Sequence, residues 1–383
     1  MGIFHDDDSK HNHTCPTPQY TDVEQVSIVG NLTFHQLIAI ISGASLAFSC
    51  LVSFFLIFRH ATHYSIPKEQ KQIIRIVFMI PVFAACSLLS VAFNDAALYI
   101  KPIDDLYEAF ALAFFFLLLC AFVEENDVER QAFFTTSGTT KHYTAATLGA
   151  FQFPVVMLIL LVVTEITEAV GVFCATSNKP YFAHIWVTII TLLSTIVAIM
   201  SILKFYKALK PRINHRKPLS KLVAFKGIVF LNFIQNAIFS FLESSNDLKP
   251  TKHYTFHDLS VGIPNLLLSL EMAIFSVLFL YIYRTGEYCF KKGAAAVPLG
   301  HGGYQGGFLG LRAYGEALNI TDVLRGITGV PAAFSGRKSG GKNQEDWPAN
   351  SQDVKQYESL GMVNQPVQGY HVPEGNLPYG NGH

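Results

Sequence analysis

Four ionisable side chains, Glu165, Glu168, Lys226 and Glu271, sit inside stretches that are otherwise apolar. The amides Asn232 and Gln235 lie in the same kind of surroundings. A charge at the centre of a bilayer costs ~3 kcal/mol on insertion scales, so such a group faces a partner or water, or stays neutral. A carboxyl can hold and release a proton, an amide can orient it, and an ammonium can attract an anion. At ~1.5 Å of rise per helical residue, Asn232 falls ~15 Å from one face of the membrane and Glu271 ~14 Å from the other. Both are then near the midplane of a core ~30 Å thick. Lys226 is shallower, ~6 Å inside. Glu271, Asn232 and Gln235 therefore read as a midplane cluster, either a solute or proton site or an interhelical hydrogen-bond clamp. Glu165 and Glu168 are three apart and share a helix face. They read as a cation site or as the lining of a wet vestibule. No nucleophile–base pair, phosphate loop or zinc spacing accompanies these groups, which argues against an enzyme, a cofactor or a metal. His5, His11 and His13, beside the acidic run Asp6–Asp8, read as a solvated tail rather than a metal site.

The elements that must position these groups are membrane helices. The chain has 383 residues, of which 50% are hydrophobic and only 15% charged. That charge fraction is well below the ~25% of ordinary soluble domains. The net charge is formally zero, so no global basic character points to nucleic acid. Apolar runs fall at about 36–58, 73–93, 107–124, 150–173, 183–205, 222–243 and 262–283. Each is near the ~20 residues that a spanning helix needs. The expected fold is an all-α membrane protein, a seven-transmembrane-helix bundle over 35–285. A polar segment, 1–34, precedes it, and a largely disordered tail, 286–383, follows. Sixteen Lys and Arg side chains fall on one set of connections and five on the other. That excess places the N-terminus outside or lumenal and the C-terminus in the cytoplasm. The Arg59–Leu112 stretch states the pattern most plainly: a short basic loop, an apolar run, an acidic loop holding Asp95, Asp104, Asp105 and Glu108, and a second apolar run.

The same stretch carries a resemblance. Pro67-x-Glu69-Gln70, Arg75-Ile76, Pro81, Ser87, Ser90 and Tyr107-Glu108-Ala109-Phe110 resemble the signature of the organic solute transporter alpha family, which includes the transmembrane protein 184 group. Gln152-Phe153, Phe225-Lys226-Gly227, Gln235 and Glu271-Met272 agree with it. The resemblance implies a transporter-like protein of organic anions, steroids or lipid-like solutes. Animal relatives of the alpha type work with a single-span beta subunit. In the family a basic residue and a proline follow Gln-Phe, whereas this chain has Pro154-Val-Val-Met157, so a substrate contact through that basic residue does not transfer. The chain is also similar to fungal relatives that resemble vacuolar membrane proteins binding ubiquitin-like autophagy proteins. That likeness opens a second reading, a membrane scaffold working through its tail, and favours the vacuolar or another endomembrane over the plasma membrane. Deleting residues 293–383 would separate the two readings. A seven-helix receptor or rhodopsin fits poorly: the third span ends in Glu124-Glu125-Asn126, and the seventh has neither Asn-Pro-x-x-Tyr nor a lysine for a retinal Schiff base.

Further positions complete the expectations. Asn12 opens the better of two glycosylation sequons, the other being at Asn31. Cys15 and Cys174 face the same side on this topology, and a bridge between them stays open. Cys289, beside Lys291 and Lys292, reads as an S-palmitoylation site or a plain juxtamembrane thiol. Residues 311–327 read as two short helices broken near Asn319–Thr321, with Asn319 or Thr321 as a cap. Tyr357 and Leu360 have the aromatic-x-x-aliphatic spacing suited to strand addition on a ubiquitin-like autophagy protein. Tyr314 and Leu318, four apart, offer a helical face for the same partner. The partners implied are the lipid bilayer, an organic solute, such an autophagy protein and a second copy of the chain.

Overall fold

The computed structural model describes Cys15 and residues 26–124, 126–244, 249–289 and 303–334. Among these residues the chain forms α1 (Phe34–Thr62), α2 (Pro67–Val77), α3 (Met79–Ala92), α4 (Ala97–Val123), α5 (Asp127–Thr136), α6 (Thr140–Ala169), α7 (Ala183–Ile213), α8 (Pro218–Ser244), α9 (Ile263–Ile282), α10 (Leu311–Leu318) and α11 (Thr321–Phe334). No strand forms among the described residues beyond a single bridge between Val29 and Leu32. Seven rods are long and apolar enough to cross a membrane: α1, α2 with α3, α4, α6, α7, α8 and α9. A helix is what such a sequence must form there, because hydrocarbon offers the backbone no other partner.

Local chemistry sets the ends and breaks. Thr33 and Gln36 form a reciprocal capping box at the start of α1, which satisfies two of the orphan donors of a helix start. The second rod breaks at Phe78. Pro81, four residues after Val77, has no N–H to give that residue's carbonyl. A single π turn, Asp258–Gly262, leads into α9.

Two expectations are corrected. Asp104, Asp105 and Glu108 do not lie in a loop, because α4 begins at Ala97 and carries them within the rod. Asp104 and Glu108 are buried. Hydropathy alone ended the third span where charge began, but a carboxylate with partners can continue a helix into the bundle. Likewise α6 starts at Thr140 rather than near residue 150. The polar residues of its first turns extend the helix beyond its apolar stretch.

We call the two ends of the bundle the basic end, where α1 turns into α2 and α7 into α8, and the disulfide end opposite. α4 is the central rod, packed on α2, α3, α6 and α7. Its Phe116 ring meets Phe151 of α6 edge-on and Phe205 of α7 at a tilt. α1 and α9 run parallel in one register, since His35 pairs with Asp258 at one end and His60 bonds Tyr283 at the other. Serines make that close approach feasible: Ser42, Ser49 and Ser53 of α1 and Ser269 and Ser276 of α9 are buried. α6 and α7 are similarly close, joined where Gly149 faces Ser201 and where Gln152 bonds Ser194 Oγ at 2.9 Å. α7 and α8 are consecutive but diverge. α7 lies on α6, α8 lies on α9, and both touch α4.

The first part of the tail docks on the basic end. α10 packs on α2, and α11 packs on α6. The break between the two helices falls at Asn319–Ile320 as expected, and Asn319 Oδ1 accepts the N–H of Thr321 at 3.1 Å.

Candidate functional site in the membrane

α8 is attached through two polar pairs. Near the basic end, Lys226 forms an ion pair with Glu108 of α4. Its ammonium also lies 5.7 Å from the ring centres of Phe153 and Phe225, within cation–π range. Further along, Gln235 donates to Glu271 of α9. Lys226 and Gln235 are nine residues apart, or two and a half helical turns. They therefore leave α8 on opposite sides, one toward α4 and the other toward α9.

The midplane cluster expected from depth is thus half assembled. Glu271 and Gln235 meet, while Asn232 instead accepts from Asn236 of its own helix at 3.2 Å. Lys226 belongs to a separate pair. Glu271 Oε2 and Gln235 Oε1 are buried and have no hydrogen-bond partner among the described residues. These two acceptors could receive a proton, a cation or a solute hydroxyl. Glu165 and Glu168 are half-buried near the disulfide end of α6, with no ion pair to another described side chain. Glu108 was the partner that depth counting missed. Its clue lay in the Tyr107-Glu108 signature, where a carboxylate enters an apolar run.

The other signature residues knit the basic end. Glu69 is held by Arg216 at 3.0 Å and by the hydroxyl of Tyr288 at 2.8 Å. Burial pushes the Tyr288 phenol well above its usual range, with the Glu69 charge adding to it, so it stays a neutral donor. Gln70 accepts the N–H groups of Ser65 and Ile66 at 2.8 and 2.9 Å and donates to the carbonyl of His63 at 2.8 Å. It thereby closes the α1–α2 turn. Arg75 reaches the tail: its guanidinium bonds the carbonyl of Ala317 at 2.8 Å and the carboxylate of Asp322 at 3.0 Å. Gln72 and Lys71 also contact Asp322, at 2.8 and 3.0 Å. Burial alone would raise the Asp322 carboxyl, but the Arg75 hydrogen bonds and the Lys71 and Arg75 charges bring it down to about 2. Tyr64 donates to Glu316 at 2.9 Å, and burial raises its phenol too.

At the opposite end, Cys15 and Cys174 form a disulfide with Cα atoms 5.4 Å apart. The sequence had left this pairing open. Cys289 is half-buried, and its thiol donates to the carbonyl of Thr285 at 3.3 Å. Tyr314 packs partly against the bundle core, whereas Leu318 is exposed. The pair therefore does not present one free face. Asn12, Tyr357 and Leu360, and the histidines His5, His11 and His13, lie outside the described residues.

Residues 38–288, which hold the seven rods except the first turn of α1 and include both polar pairs, match the family described as organic solute transporter Ostalpha. The chain belongs to that family. Among the relatives, Protein LAZ1 homolog 1 of Arabidopsis thaliana is 29% identical over 279 residues, covering 63% of this chain and 57% of the relative. Protein LAZ1 of the same plant is 26% identical, covering 64% and 57%. A transmembrane protein 184 homolog of Dictyostelium discoideum is 25% identical over 271 residues, covering 66% and 54%. The chain thus spans little more than half the length of these relatives. No solved structure matches it. The Ostalpha assignment, with seven apolar rods, makes this an integral, multi-pass membrane protein of a solute transporter family.

Proposed function

We propose that the chain moves organic solutes of an anionic, steroid or lipid-like kind across its membrane, along α8. One observation carries this reading. α8 bears ionisable and amide groups at bilayer depth, yet it packs on α9 and only the edge of α4, while α7 diverges from it. Polar side chains at that depth are expensive unless they face a partner or a wet path. Asn236, about two thirds of the way along α8, is exposed. The Lys226 ammonium between two phenyl rings suits a solute with an acidic group on an apolar body. The test is uptake of labelled steroid sulfates and fatty acids by vesicles holding the purified chain. Flux should fall at least tenfold or lose its dependence on pH in Glu271→Gln, and equal flux in empty vesicles would sink the proposal.

The same reading places the N-terminus outside or in a lumen. The basic-loop excess supports it, and so does the Cys15–Cys174 disulfide, because such bonds persist in oxidising compartments. The scaffold reading rests on Tyr357 and Leu360, with the vacuolar membrane as its setting. Because residues 303–334 are docked, the deletion that separates the two readings begins after Phe334 rather than at 293.

A further inference from the structure

α10 presents three different sides to three different surroundings. Ala313 and Ala317 are buried against the bundle. Arg312 and Glu316, four apart, form an ion pair at 2.9 Å on a second side. Leu311 and Leu318, seven apart and so about two turns along the helix, share the third. They are 65% and 81% exposed. At about 100° per residue, the leucine side and the charged side lie some 130° apart, each well away from the alanines. A helix end in water has no reason to hold two leucines out on the side opposite its charges.

The turn before α10 repeats the pattern. Gly307 and Gly310 have φ of +73° and +80°, and Leu309 between them has φ +50°. This left-handed tip leaves Phe308 79% exposed and Leu309 more than half exposed. What the segment sits on indicates what covers it. Gly306 and Gly310 close on Ala61, with no room for a Cβ at either glycine. Gln305 donates to the carbonyl of Tyr64 at 2.8 Å. Ala61 lies three and seven residues after Phe58 and Phe54, so all three share one face of α1. Both phenylalanines are exposed along the outside of that membrane rod. The segment thus seats at the foot of a lipid-facing ridge, and its own apolar stripe continues that ridge.

We propose that residues 304–324 form an in-plane membrane element whose stripe of Phe308, Leu309, Leu311 and Leu318 enters the headgroup and upper acyl layer of the adjacent leaflet, while Arg312 faces water and Glu316 keeps its bond to Tyr64. A short amphipathic segment held in this way gains from burying its apolar side at the bilayer boundary. Its occupant is lipid, not a docking protein. The inference needs only that the rods span a membrane, whatever the chain transports.

The test uses the full chain in phospholipid nanodiscs. The free cysteines Cys50, Cys86, Cys120 and Cys289 are replaced by alanine, and one cysteine at a time is introduced as Phe308→Cys, Leu311→Cys, Leu318→Cys or Arg312→Cys. Each carries an environment-sensitive fluorophore. Lipids brominated near the carbonyl should quench the first three about threefold more than the label at Arg312, and iodide should quench in the reverse order. Because all four side chains point away from the core, the labels can be compared at equal fold, checked by thermal unfolding. If iodide reaches 308, 311 and 318 as well as 312 and brominated lipid reaches none, the stripe faces water. The proposal then fails, and the surface falls to a protein partner.

Discussion

Lys226 and Glu108 are the side chains on which α8 most depends for its place beside α4. Both are largely buried, so removing one leaves an uncompensated charge. Lys226→Met should cost about 3–5 kcal/mol of stability. Adding Glu108→Leu should return most of that loss, because a buried pair is often replaceable by apolar residues. Thermal unfolding in detergent reads the stability cycle, and vesicle uptake reads function. If the pair binds solute, the double variant folds but does not transport; if the pair is only a clamp, the double variant regains both. Glu271→Gln asks a narrower question. The amide keeps the shape and the contact to Gln235 but can neither ionise nor release a proton. The expected outcome is a folded chain whose uptake falls at least tenfold or loses its dependence on pH, and wild-type uptake at every pH would make Glu271 structural.

Among the elements, the tail helices gain most from charge. Asp322 is held near 2 against an ordinary 3.8, which corresponds to roughly 2–3 kcal/mol of coupling to Arg75 and Lys71. Because the folded value is depressed, that contribution is complete above about pH 4 and fades as pH falls through 2. At neutral pH, Asp322→Asn should therefore loosen α10 and α11 while the rods stay intact. Trypsin should then cut at Arg325 sooner in the variant, and hydrogen exchange of the wild-type segment should rise between pH 4 and 2. The α6–α7 contact is steric instead. A Cβ at Gly149 collides with Ser201, a serine on a packed helix rather than the end of a flexible chain. Gly149→Val should cost about 1–3 kcal/mol by overpacking, read as a lowered Tm.

At the scale of the whole molecule, topology and the disulfide make one joint prediction. Protease added outside sealed cells or vesicles of native orientation should spare the tail and Arg212–Lys221. A cut between Cys15 and Phe34 should leave an N-terminal fragment that separates only after reduction. Cleavage of the tail under those conditions would reverse the orientation. Fragments that separate without reductant would show that the two cysteines are not joined.

Composition and hydropathy by themselves determined the class of protein, the number of rods and the approximate place of each, because a bilayer demands long apolar helices and penalises every exception. The exceptions Lys226, Gln235 and Glu271 were legible for the same reason, as was the break between α10 and α11 from its polar cap. Partners were not legible, since depth along a helix says nothing about direction around it. Only the packed bundle shows that Lys226 turns to Glu108 and Gln235 to Glu271, nine residues apart and on opposite sides of one rod, while Asn232 turns back to Asn236. The disulfide across 159 residues, and the reach of Arg75 to Asp322 in a segment that composition marked as tail, are likewise decided by tertiary structure. Both join residues far apart in the chain, whose meeting depends on where every intervening rod is set.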